Sequence, residues 1–548
     1  MSFRSTKLVN GFTLRIALLI LFVGLSIFFY LWSPEDLGVY DESIIIVGAM
    51  RIVSGEWPGS DFYANYGPLQ FAIVAGLYDF FGVSVAIARL YDGVLNAGIT
   101  LAVSGCLVAA GVPRAVPAAL AASIIYQLFA SASLYVLTPV TLLVLIGACI
   151  LIRNLSRNAG LVAYLPLSLV YMLSIFFRYD YAIVAGGAFG IAILAVAIDD
   201  VAIDGQPIKS VVRRLSGISV ILAAGAGIGV AFLFLSGLLV PAVRDIITYN
   251  SGNYVEMRSI PFPLPIPYVS PGQLFYVALF YLPFLILTLA FITASCVWRR
   301  LVRRHRVAVL VLGSVTMCGI APALVRSDLV HMFNGGMGSI TLLFVLLGIF
   351  ELRLKGHISR DHKIATARWV IFLFLVLLTL RVAVAKMPSH QTITQRLNPT
   401  VLVTQGQKST LATRLGPFSI TPDESALISF IVAESAPGER FVSVTGRHDK
   451  VYVNNLRIYL AAGRLPGTSF HHFDPGVQTS RQVQLAMIQD LETNDIKIIF
   501  EDGRWDDVEE KNLSSVSSGV NDFDKYIAEH FVESIRIGQM AVLLRKPM

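Results

Sequence analysis

From residue 12 to residue 386 the chain is a succession of long apolar runs separated by short polar breaks, and beyond residue 387 that pattern stops. A membrane-spanning helix needs about 20 consecutive apolar residues. Eleven runs qualify, at 12–32, 83–110, 115–133, 137–153, 161–177, 181–203, 217–240, 273–298, 307–325, 333–352 and 367–386. A twelfth, at 68–82, is short. At 1.5 Å rise per residue it would cover about 22 Å, less than a hydrocarbon core. Residues 387–548 mix strand-like runs (Phe441–Val444, Ile496–Phe500, Met540–Leu544) with helical stretches (Arg481–Leu491, Phe523–His530). That alternation predicts a small α/β domain. The expectation is a polytopic α-helical membrane protein of about 11 transmembrane helices in residues 1–386, followed by an aqueous domain at 387–548.

Composition agrees with this division. Of 548 residues 55% are hydrophobic and 14% charged, where a soluble protein carries about 25% charge. The net charge of +7 matters less than where the basic residues stand. With the N-terminus cytoplasmic and 68–82 not crossing, the basic loops at 111–114, 153–160, 204–216, 299–306 and 353–366 all fall on the cytoplasmic side, as the positive-inside bias requires. If 68–82 crosses, all of them fall outside. The first arrangement is therefore expected, N-in and C-out, with 68–82 a juxtamembrane or re-entrant helix and the C-terminal domain extracytoplasmic. Basic residues placed this way are topology signals and not a nucleic-acid footprint. The four cysteines lie in apolar runs, so the C-terminal part holds neither a disulfide framework nor a Cys-based zinc site. The first apolar run lacks a small-residue cleavage site and reads as a retained helix. No dinucleotide-binding fingerprint or P-loop occurs.

The same parity gathers the unusual polar residues on the outer face. Asp41 and Glu42 follow the first span, in an outer segment at 33–82 that also holds Arg51, Asp61, Tyr63 and Tyr66. Arg178 and Asp180 form a second group; Arg326, Asp328 and His331 form a third, with Asp328 and His331 spaced to share a helical face. Each of the two latter groups reads either as a self-neutralising pair at a helix end or as part of a site. The functional reading has a chemical logic. Group transfer outside the cytoplasm has no nucleotide sugar to draw on and needs a lipid-linked phosphate-activated donor. It needs a carboxylate to take the proton from an attacking hydroxyl, guanidinium groups or a metal on the departing phosphate, and an apolar groove for the lipid.

Further candidates are less specific. Arg89 and Asp92, three apart in one apolar run, either fix helix packing or point toward the lipid phosphate. His331 is a possible ligand for a divalent metal with Asp328 or a first-loop acid. The outer loop at 241–272, with alternating prolines at Pro261, Pro263, Pro265 and Pro267, suits a lid or a plain connector. His471, His472 and Asp474 precede Pro475-Gly476 and read as surface residues of a turn.

The order Asp41-Glu42, Gly55, Asp61-Phe62, Tyr66-Gly67-Pro68-Leu69, Phe81-Gly82 and Arg89-Leu90 resembles the GT-C integral-membrane glycosyltransferases, within them the protein-mannosyltransferase and aminoarabinose-transferase branch. The motifs cover the first 90 residues or so. The resemblance implies a polyprenyl-phosphate-linked sugar as donor, inversion at the anomeric carbon, and catalysis by the first-loop aspartate, which by position is Asp41. The branch's proline pair is Gly67-Pro68 here, which leaves the acceptor open between glycan, lipid and protein. Together these readings give a glycosyltransferase of the cell envelope, in a bacterial inner membrane, acting on an acceptor hydroxyl. Asp41 is its base and Glu42 its companion, Arg178, Arg326 and Arg89 bind phosphate, and Asp180, Asp328 and His331 position the arginines or the sugar. Asp61 and Tyr66 support the loop or acceptor. The alternative is a secondary transporter or flippase, which would show paired internal repeats and helices broken near the midplane.

Overall fold

The computed structural model describes residues 11–130, 133–244, 253–264, 271–357 and 387–547. Ten of the eleven expected spans are helices: α1 (Gly11–Leu31), α4 (Val85–Ala110), α5 (Ala115–Ala130), α6 (Thr138–Ser156), α7 (Leu165–Phe177), α8 (Tyr179–Ala202), α9 (Ile208–Leu235), α12 (Pro271–Val297), α13 (Arg303–Ala323) and α14 (Leu329–His357). The run at 367–386 lies outside the described residues. Eight of these helices are long and apolar enough to cross a membrane, and α5 and α7 are shorter. Their outward surfaces carry large exposed apolar side chains such as Leu19, Ile198, Phe234 and Phe291. Such faces suit lipid and not water. The chain is an integral membrane protein. α9 starts nine residues before the expected run because Pro207 opens it, so Lys209, Arg213 and Arg214 form its first turns instead of a loop.

The segment between α1 and α4 contains two further helices. α2 (Asp41–Val53) is buried from Glu42 to Arg51, and α3 (Pro68–Phe81) is 14 residues long. The two ends of α3 are tied to different parts of the chain: Gly67 N–H donates to the Phe177 carbonyl at the end of α7 at 3.2 Å, and the Phe81 carbonyl accepts from Thr404 N–H of the C-terminal region at 2.7 Å. Gly67 has to be glycine here, since a Cβ would collide with the Phe176 carbonyl. At the opposite end, Asp199, Asp200 and Asp204 interlock with Arg214, Arg303 and Arg306.

The described part of the 241–272 loop gives α10 (Leu239–Arg244) and α11 (Asn253–Arg258), then an extended strap. Ile260 bridges to Arg326 as in a strand pair, and Phe262 packs its ring against Phe280 and Tyr281 of α12.

The C-terminal region holds a four-stranded mixed sheet in the order β1 (Val442–Val444), β2 (Ile498–Asp502), β4 (Met540–Arg545), β3 (Phe531–Ile537). β1 and β2 are parallel, with Ser443 opposite Phe500, and the other pairs are antiparallel. β3 escapes the sequence reading because only Phe531 of its seven residues is fully buried. One apolar core runs from Ile44 and Ile87 through Leu415, Phe418 and Tyr459 to Phe500. The sheet region is thus seated on α2 and α4.

Candidate active site

Two acids in the first turn of α2 suit the positive end of that helix. Adjacent helical side chains diverge by about 100°, so Asp41 and Glu42 meet different surroundings. Glu42, 2% exposed, accepts from Gly38 N–H at 2.8 Å and forms a two-toothed ion pair with Arg89. Arg89, 1% exposed, spends all five N–H donors: on both Glu42 oxygens, Ser133 Oγ (2.6 Å) and the carbonyls of Asp36 (2.9 Å) and Pro34 (3.4 Å). It has no donor left for a phosphate. The expected pairing of Arg89 with Asp92 is replaced by this one; Asp92 instead accepts from Asn96 Nδ2 at 3.2 Å.

Asp41 is the opposite case. Among the described residues no hydrogen bond or ion pair takes up its carboxylate. Burial pushes its pKa above the ordinary carboxylate range. Arg258, His331 and Arg326 counter that, and Asp474 adds to it. These four names describe the neighbourhood, for they come from α11, α14, the loop before α14 and the C-terminal region.

Around them the contacts are continuous. Asp328 caps α14 by accepting from His331 N–H, and also meets His331 Nδ1, both at 2.8 Å. His331 Nε2 lies 3.3 Å from the Tyr135 hydroxyl. Arg326 Nε donates to Asp328 at 3.1 Å. Burial alone would raise the Asp328 carboxyl, but His331 and Arg326 outweigh it and hold it below the usual range. Arg178 forms a two-toothed pair with Asp180 at 2.9 and 3.1 Å, and its guanidinium lies over the rings of Tyr66 and Tyr181 at 5.1 and 4.8 Å. Burial opposes its charge, yet Asp180 and the two tyrosines keep it firmly protonated. Nη1 of Arg178 has no hydrogen-bond partner among the described residues. Tyr135 feels both Asp41 and Arg178, which joins the second polar group to the first. Tyr181 also lines a small, mostly apolar pocket walled by Val140, Val144, Ala188, Val315 and Met337.

Asp41, Arg178, Asp180, Arg326, Asp328, His331 and Tyr66 therefore belong to one connected polar region. Glu42 and Arg89 stand behind it as a closed pair. Asp61 closes its own turn, accepting from Trp57 N–H at 2.7 Å.

The C-terminal turn departs most from expectation. His471, His472 and Asp474 are not surface residues: they are 1%, 0% and 2% exposed. Asp474 accepts from Arg258 Nη2 at 2.8 Å, Asn65 Nδ2 at 3.1 Å, and the hydroxyls of Tyr40 (3.2 Å) and Tyr63 (3.3 Å). Burial pushes His472 down to about 4, so it is neutral. A Pro-Gly turn reads as surface from local composition, and only the docking of this segment on residues 40–65 buries it.

Sequence reasoning also passed over Arg258, Tyr135, Tyr181 and Glu510. Arg258 carried one signal, a guanidinium against the charge bias expected for its loop. Nothing local marks Glu510. As to metal, the one group of three acids with converging oxygens among the described residues is Asp199, Asp200 and Asp204. Its charges are already met by three arginines, which is not a donor set for a cation.

A bundle of this helix order, with two short helices after the first span and a small mixed sheet at its C-terminus, shares its fold with a solved structure. A crystal structure of ArnT from Cupriavidus metallidurans in the apo state superimposes with a TM-score of 0.53 and 13% identity, covering 98% of this chain and 100% of that one. ArnT of the same organism bound to undecaprenyl phosphate gives 0.49 at 14% identity over 98% of both chains. The Archaeoglobus fulgidus oligosaccharyltransferase in complex with zinc and sulfate gives 0.44 at 13% identity over 89% of this chain and 67% of that one. These last two scores fall below the level at which a shared fold follows. The sequence matches no family model and no curated protein.

Proposed function

We propose that this protein is a glycosyltransferase that moves a sugar from a polyprenyl-phosphate donor to an acceptor hydroxyl at the outer face of the membrane. The observation that carries the reading is Asp41, a carboxylate that no hydrogen bond or ion pair takes up among the described residues, with Arg258, Arg326 and His331 around it. Asp41 accepts the proton of the acceptor hydroxyl. The hydroxyl oxygen attacks the anomeric carbon, the bond from that carbon to the phosphate oxygen breaks, and the bonding pair leaves with the phosphate. A single displacement of this kind inverts the anomeric centre.

Arg258, Arg326 and the free edge of Arg178 are placed to bind the phosphate, whose charge grows as the bond breaks. His331, held by Asp328 and Tyr135, positions the sugar. Glu42 and Arg89 hold α2 in place. A basic end of the bundle, with Arg214, Arg303 and Arg306, supports a cytoplasmic side there and, with it, a C-terminal region outside. The acceptor is a glycan, lipid or protein of the cell envelope.

The test is turnover of radiolabelled polyprenyl-phosphate sugars by the purified protein. Transfer with an inverted product is expected, and Asp41→Asn should slow it by about 10²–10⁴-fold, the usual weight of a general base. Near-normal turnover in that variant dismisses Asp41 as the base.

A further inference from the structure

Arg326 offers five N–H donors, and four are in use. Nε binds Asp328 (3.1 Å), Nη1 binds the Arg258 carbonyl (3.1 Å) and Glu510 Oε2 (3.1 Å), and Nη2 binds Glu510 Oε1 (2.7 Å). The Glu510 contact is a parallel two-toothed grip, the geometry with which a guanidinium takes a phosphate. Glu510 stands on the loop that leaves β2, 184 residues from Arg326. That loop is docked: Asn512 Nδ2 reaches both Glu510 Oε2 and the Ser259 carbonyl at 2.9 Å, and Glu510 N–H donates to Ser515 Oγ at 2.8 Å.

The two arginines of the outer loops are held by the C-terminal region in different ways. Asp474, on Arg258, is buried and satisfied by four side-chain donors, which makes it a fixed support. Glu510 and Arg326 keep 13% and 18% of their side chains accessible, so the pair opens without uncovering a dry charge.

Resting on the reading of Arg326 as a phosphate ligand, we propose that Glu510 is a positioning residue that yields Arg326 to the incoming donor phosphate and reclaims it to expel the product. The donor is a phosphodiester with one negative charge. When the sugar's anomeric carbon leaves the phosphate oxygen for the acceptor, and the acceptor proton goes to Asp41, a phosphate monoester remains with a charge of about −1.5 to −2 at neutral pH. The product thus grips the guanidinium harder than the donor does. A built-in carboxylate that competes for the same two N–H groups offsets this difference.

The test measures binding of undecaprenyl phosphate to the full-length protein in detergent micelles by thermophoresis, alongside steady-state transfer. Glu510→Gln should bind about tenfold tighter, since occupancy of Arg326 by Glu510 lowers the apparent affinity by the fraction of protein left competent. The KM for the donor and kcat should fall together as release becomes limiting. Glu510→Asp, which keeps the charge on a shorter arm, should lie between. Glu509→Gln, an exposed neighbour, should match the wild type. A wild type that binds undecaprenyl phosphate while Glu510→Gln binds it no better overturns the proposal for Glu510 alone. If Glu510→Gln fails to fold, wild-type affinity in Glu510→Asp overturns it as well. Absence of binding in every form overturns both this proposal and the functional reading beneath it.

Discussion

At the scale of single residues, Asp41 and Glu42 show how one peptide bond separates an open carboxylate from a paired one. Glu42 is consumed by Arg89, whereas Asp41 keeps an open carboxylate whose pKa burial has raised. Its sign sets two expectations. As the proposed base, Asp41 works only when ionised, so the acid limb of the kcat/KM profile should lie above the range of an ordinary aspartate, and Asp41→Asn should erase that limb. A raised folded-state pKa also means the ionised form is the less stable one, the contribution being lost as pH rises through the folded value. Asp41→Asn should therefore melt no lower than the wild type at pH 7, as read by thermal unfolding in detergent. Loss of activity together with a lower melting temperature would point to a structural role instead.

At the scale of elements, α2 is the keystone of the segment between α1 and α4, and its position depends on the buried pair with α4. Removing one partner of such a pair strands a buried charge and costs about 3–5 kcal/mol. Glu42→Ala should lower the melting temperature by a corresponding margin, and the double variant Glu42→Leu with Arg89→Leu should recover much of it; additive losses in that cycle would refute the pairing. α3 works with Gly67. Its missing Cβ lets the chain touch the end of α7, which sets the Tyr66 ring over Arg178.

Across the whole molecule, the C-terminal region completes the candidate site. It supplies Asp474 to Arg258 and Glu510 to Arg326, and it is anchored by Glu424. Burial would raise the Glu424 carboxyl from its ordinary 4.5, but Arg457, Arg504 and Asn455 outweigh this and hold it at about 2. Arg457 also donates to the Leu37 carbonyl at 2.7 Å, four residues before Asp41. A depressed carboxylate pKa stabilises the fold above the unfolded value and ceases to do so as pH falls through the folded one. The melting temperature should drop as pH goes from about 4.5 to about 2. Glu424→Gln should be less stable at pH 7 and flatter across that window; an unchanged slope would remove Glu424 as the anchor.

The sequence by itself determined the helices, since a run of apolar residues long enough to span has no other stable state in lipid. It marked Asp41, Arg178, Arg326 and His331 as well, because charge beside such runs is costly and stands out. It also located three of the four strands and two helices of the C-terminal region through local periodicity. Which acid is free and which is spent was decided by tertiary structure alone. Glu42 meets Arg89 across 47 residues, Asp474 meets Arg258 across 216, and Glu510 meets Arg326 across 184. Pattern along a chain reports the solvent each residue prefers; partners so far apart are chosen only when the packed helices and the docked sheet bring them within reach.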